Sequence, residues 1–147
     1  METGSLEGLY QQIIERAQDA IIFADKEGII RLWNSGAEAI FGYSKEEAIG
    51  ETLDLIVPEK LREKHWEGYR KVMDTGVTKY GSDILAVPAL KKDDSRLSVE
   101  FTIVLLKNDS GKPIGTAAIM RDVTERWQKE KELKKRLAEL EEREKKM

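Results

Sequence analysis

Apolar residues recur along this chain with two periods, and glycine, proline or aspartate marks most places where one period gives way to the other. Leu6, Leu9, Ile13 and Ala17 stand at helical spacing and predict a short amphipathic helix at the start. Ala20 to Ala24 and Ile29 to Trp33 are apolar runs of strand length. Asp25-Lys26-Glu27-Gly28 lies between them as a tight turn, so the pair predicts a hairpin. Asn34 is placed to accept from the open amides of a short helix ending near Phe41. Ser44 and Glu47 have the spacing of a capping box, and Gly50 ends that turn. A longer helix begins after Pro58, carries Glu59 in its first turn and closes at Asp74-Thr75-Gly76. Its apolar face carries Leu61, His65, Tyr69 and Val72.

The second half reads as three strands and a helix. Ile84 to Leu90 predicts a strand that Pro88 confines to an edge or a bulge. Beyond the polar loop Lys91 to Ser95, Leu97, Val99, Phe101, Ile103 and Leu105 alternate with Ser98, Glu100, Thr102 and Val104, so the first set faces the core. A last strand covers Ile114 to about Val123, and its Gly115, Ala117 and Ala118 leave room for another layer. The expected fold class is α+β: a five-stranded antiparallel sheet with short helices on one face.

From Thr124 to Met147 there is no glycine, proline or aspartate, and Glu, Lys, Arg and Leu dominate, which predicts one long charged helix. Leu133, Leu137, Leu140 and Met147 share a seam in four-three-seven spacing, with Arg126, Glu130 and Glu144 in the same register and Trp127 beside it. Two such helices can form a parallel coiled coil, made marginal by its polar positions; a solvated linker helix is the other reading. The expected organisation is a cap helix over 1–17, a core over 18–123 and a helical linker over 124–147.

Composition narrows the chemistry. A chain of 147 residues, 40% hydrophobic and 36% charged, suits one globular domain. Its 25 basic residues are interleaved with 28 acidic ones and leave no basic stripe for nucleic acid. Cysteine is absent, which excludes disulfides, cysteine nucleophiles, thiolate metal sites and a cysteinyl flavin photoadduct. No run has membrane-spanning length, and Met1 to Ser5 lacks the basic and apolar parts of a secretory signal; the expected compartment is the cytoplasm. No nucleophile-base-acid set is evident, so enzymatic activity is not expected. Asp54 and Asp83 read as turn or pocket-rim residues, and Arg62, Lys64 and Lys71 as solvated charges that can also meet a carboxylate. His65, the one histidine, is open to two roles on its apolar helix face: ligand to a heme iron, or a packed ring completing a hydrogen bond.

Asp25-Lys26-Glu27-Gly28-Ile29-Ile30, Trp33-Asn34, Phe41-Gly42-Tyr43-Ser44-Lys45-Glu46-Glu47, Ile49-Gly50 and the exit Arg121-Asp122-Val123-Thr124-Glu125-Arg126 together resemble bacterial PAS sensory domains, over about residues 10 to 126. The resemblance implies a pocket between the helices and the inner sheet face, within a larger signalling protein. With the seam of the C-terminal helix, the expected assembly is a homodimer through that helix and the PAS surface, with an attached or partner effector; from charge and hydropathy, no nucleic-acid contact and no membrane insertion are expected. Strain in the pocket would leave through the last strand and the helix after Thr124.

In oxygen-sensing heme PAS domains, a helix similar to Pro58-Glu59-Lys60-Leu61-Arg62-Glu63-Lys64-His65 carries the proximal iron ligand at the position matched by His65. Carried over, this implies heme b on His65, flanked by Leu61 and Tyr69, with Val99, Phe101 and Ile103 covering the distal side. Ile119 or Met120 completes the wall, depending on register. Two departures stand out. The arginine that assists bound oxygen in those proteins is approximately matched by Leu85, and Lys91 to Arg96 offers no methionine as a second iron ligand, leaving Met120 and Met73 as interior methionines. Carbon monoxide, nitric oxide or redox state then fit at least as well as oxygen. The resemblance leaves two alternatives open: a ligand-free dimerisation and relay module, and a domain for a small organic ligand or a flavin stacked on Trp33.

Overall fold

The computed structural model describes residues 4–78 and 83–146. Its elements run α1 (Leu6–Arg16), β1 (Ala20–Asp25), β2 (Ile30–Trp33), α2 (Ser35–Phe41), α3 (Lys45–Ala48), a 3-10 turn (Leu53–Leu55), α4 (Glu59–Thr75), β3 (Leu85–Leu90), β4 (Arg96–Lys107), β5 (Pro113–Asp122) and α5 (Thr124–Lys146). The strands form one antiparallel sheet in the order β2-β1-β5-β4-β3. The last strand therefore lies beside the first, with Ala20 opposite Met120. As a result α1 enters and α5 leaves at the same end of the sheet, where Arg121 and Asp19 form an exposed ion pair.

Local chemistry sets the breaks. Ser5 and Asn34 cap α1 and α2 with their side chains, and Ser44 and Glu47 complete the reciprocal capping box of α3. Gly42 and Gly76 end α2 and α4 in the left-handed conformation, which glycine adopts without a Cβ penalty. Pro88 sits in the edge strand β3, where its missing amide costs no ladder bond on the open side.

Period-two alternation places Ala20, Ile22 and Ala24 of β1 and Leu97 and Val99 of β4 on the inner face. There they join Ile30, Trp33, Ala37, Phe41, Ala48, Ile56, Ala89 and Met120 in the main core, with Leu53, Leu55 and Val57 packed against it. Trp33 is fully enclosed in that core, edge-on to Tyr43 and tilted on Phe41, which rules it out as a platform for a stacked flavin.

The expected boundaries shift in three places. Ile84 is exposed and precedes β3, Ile29 makes only an isolated bridge to Thr52 ahead of β2, and the last strand starts at Pro113. The apolar stripe of α1 is the larger departure. The helix forms, but Leu6, Leu9 and Ile13 are exposed, because α1 is held by its other side, where Gly8 is buried and Asn34 and Ser35 bond its last carbonyls. The seam position Met147 and the start Met1 to Thr3 lie outside the described residues.

Candidate functional site

Helix α4 is fixed at three points along its inward side. Arg62 donates from Nε to the Val57 carbonyl at 3.0 Å and from Nη2 to that of Asp54 at 3.2 Å. One turn on, Trp66 Nε1 donates to Asp54 Oδ1 at 2.7 Å. Its ring lies against the β1–β2 turn at Gly28, where a Cβ would come within 2.2 Å of the indole and where φ is +80°; the turn needs glycine on both counts. Tyr69 is buried and donates to the Ala24 carbonyl at 3.1 Å, with that of Asp25 also in reach. Met73 continues the stripe, and Ala24, Val72 and Leu105 complete this second apolar cluster.

His65 is held within that frame. Its ring lies edge-on to Trp66, with centroids 4.8 Å apart, and tilted against Tyr69 at 5.9 Å. The residue is half-buried, yet Nδ1 is enclosed and has no hydrogen-bond partner among the described residues. Burial lowers the imidazole pKa below its ordinary 6.5, and the charge of Asp54 opposes this only in part. The ring is therefore neutral near pH 7, the form in which an imidazole nitrogen ligates a metal. It also makes stability depend on pH. With the folded pKa below the unfolded one, the unfolded chain binds the extra proton first, so stability should fall as pH drops below about 6.5 and level off beneath the folded value. Urea midpoints compared between wild type and His65→Ala should show this component in the wild type alone.

The other residues expected to line the pocket lie in different settings. Leu61 is at the margin, 37% exposed, while Leu85, Phe101 and Ile103 are half-buried on the inner face of β3 and β4, with Leu85 directly opposite Phe101. Val99 and Met120 are sealed in the main core among Leu97, Ile56 and Trp33, so they pack the domain's far end instead of standing open. Ile119 lies on the opposite face of the sheet from Met120 and is 41% exposed; of the two registers the sequence left open, β5 adopts the one that turns Met120 inward. Asp54, read from sequence as a turn or rim residue, is the joint that orients Trp66 and contacts Arg62. Nothing local signals that role, since Trp66 is twelve residues away. A hollow of about 540 Å³ lies elsewhere, between β3, the start of β4 and the first turn of α5, with Val87, Pro88, Ser98 and Trp127 in its lining.

No group of three or more metal-ligating side chains occurs among the described residues, and no helix among them is long and apolar enough to cross a membrane. An antiparallel five-stranded sheet, helices over its inner face and a long exit helix define a sensory-domain architecture. A family model described as PAS fold matches residues 14–128, and the chain belongs to that family: it is a bacterial PAS sensory domain. It is 30% identical over 133 residues to the sensor protein FixL of Bradyrhizobium diazoefficiens, covering 88% of this chain and 25% of that protein. It is also 30% identical over 141 residues to the signal transduction histidine-protein kinase AtoS of Escherichia coli, covering 95% and 21%. The oxygen sensor protein DosP of Escherichia coli matches at 25% over 97 residues, 66% of this chain and 12% of that one. Among solved structures, the PAS domain of a Colwellia psychrerythraea protein superposes with a TM-score of 0.72 at 25% identity, covering 82% of this chain and 99% of that chain. The chain thus spans a quarter or less of the curated relatives named here.

Proposed function

We propose that this domain is a heme-based sensor module of a cytoplasmic bacterial signalling protein, in which His65 would hold the heme iron and α5 would be the output. The observation that carries the reading is the neutral, half-buried imidazole on the sheet-facing stripe of α4, with an enclosed nitrogen that no group among the described residues satisfies. The donor is of the right type, and Leu61, Leu85, Phe101 and Ile103 are apolar side chains left incompletely covered. When bound, heme supplies an iron centre that takes a diatomic gas or changes oxidation state. Asp54, through Trp66, and Tyr69 hold the imidazole in place, and the apolar residues of β3 and β4 exclude water. Leu85 carries no hydrogen-bond donor on the inner face of β3, so carbon monoxide, nitric oxide or redox state would suit the site at least as well as oxygen. The similarity to an oxygen sensor protein supports a diatomic gas as the class of signal.

The route outward is short. Phe101 pairs with Met120, and three residues earlier Ser98 accepts from Val123 N and donates its own amide to Thr124 Oγ1, both at 2.9 Å. A shift of β4 therefore acts on the first turn of α5, which passes it to the paired helix of a second copy and to an attached or partner effector.

A second reading, a ligand-free relay module, draws on the sealing of Val99 and Met120 in the core and on the use of the Tyr69 hydroxyl by backbone carbonyls. Hemin titration separates the two. The folded wild type should take up one equivalent with a sharp Soret band, and His65→Ala, with an unchanged circular dichroism spectrum, should lose or shift that band. Wild type that binds no hemin specifically is the relay module.

A further inference from the structure

The seam of α5 is not uniform along its length. Heptad positions a and d fall on Arg126, Glu130, Leu133, Leu137, Leu140 and Glu144, and the three leucines are all more than half exposed. In a parallel, in-register pair they stack leucine on leucine in three successive layers. An antiparallel pair sets a against d and forces a leucine against Glu130 or Glu144, so the parallel form is favoured.

The flanking charges divide the helix the same way. Arg136 at g faces Glu141 at e of the other copy, an attractive pair made twice, whereas Lys129 at g faces Lys134 at e, a repulsive pair made twice. Arg126, the first seam residue, is turned back to its own domain, where it bonds Glu100 of β4 and lies 4.0 Å from Glu130. Core, flank and in-chain bonding all change character between Glu130 and Leu133.

We propose that α5 pairs with α5 of a second copy only from Leu133 onward, while its first two turns stay apart, each tied to its own β4 through Arg126 and Glu100. This rests on the dimer of the proposed function, independently of heme, and adds where the two helices join. The free proximal turns can follow β4 and β5, and the short zipper turns their movement into rotation at the join.

The absence of native cysteine makes the full chain suited to single-cysteine oxidation. Disulfides close at Cα separations of about 4.4–6.8 Å, so Leu137→Cys and Leu140→Cys should cross-link at least about tenfold faster than Arg126→Cys and Glu130→Cys. The double variant Arg126→Leu/Glu130→Leu, which adds two apolar layers, should tighten dimerisation by about tenfold or more in sedimentation. Equal cross-linking at all four positions, or a double variant of unchanged affinity, overturns the split zipper and leaves the dimer standing. No cross-link anywhere, with a monomer in sedimentation, overturns both.

Discussion

Replacing Asn34 with alanine should cost about 3–5 kcal/mol of unfolding free energy, a large share of the roughly 5–15 kcal/mol that holds a domain together. Asn34 is wholly buried. Its Oδ1 accepts from Ile21 N at 2.8 Å and Ala37 N at 2.9 Å, and its Nδ2 donates to the carbonyls of Ile14 at 2.8 Å and Asp19 at 3.0 Å. One side chain thus joins the end of α1, the start of β1 and the cap of α2. Alanine leaves those groups without partners in a place water does not reach. Asn34→Asp should be worse: it keeps the acceptor, but sets a second oxygen and a charge against carbonyls that need a donor. Urea unfolding measures the loss, and amide exchange over α1 should rise with it.

Gly115→Ala should be comparably damaging, at about 3–5 kcal/mol or outright failure to fold. A Cβ there would lie 2.1 Å from the Ala24 carbonyl oxygen and 2.8 Å from the Phe23 ring. The obstacle is the backbone of β1, paired with β5 along its whole length, so relief requires opening the ladder that also positions Met120 and the approach to α5. Gly68→Ala makes the control. It is helical, with nothing within 4 Å of the added methyl, and should be neutral or stabilising by about 0.5–1 kcal/mol. Opposite signs in thermal or urea melts would show that close approach, not glycine itself, is the constraint.

These two positions also mark what a single sequence discloses. Asn34 was legible as a cap because capping acts over three residues, but its bonds to Ile14 and Asp19 span loops that no spacing reveals. Strand β4 was legible because alternation is local. Alternation could not distinguish the sealed end of that inner face, at Leu97 and Val99, from the half-open stretch at Phe101 and Ile103, since both obey the same period. Along β5 the small residues Gly115, Ala117 and Ala118 sit on both faces, so pattern alone did not choose between Ile119 and Met120. The uncovered stripe of α1 had no local signal either, for an amphipathic helix announces an apolar face and not what covers it.

For the site, the imidazole was visible as a lone histidine on an apolar face, whereas its frame of Asp54, Trp66 and Gly28 is assembled by tertiary contacts. The claim that His65 serves as an iron ligand is tested most directly by removing the side chain and supplying the ring from solution. His65→Gly, shown folded by circular dichroism, should lose the wild-type hemin spectrum and regain it on addition of millimolar imidazole. A glycine variant that binds hemin with the wild-type spectrum in the absence of imidazole would contradict it.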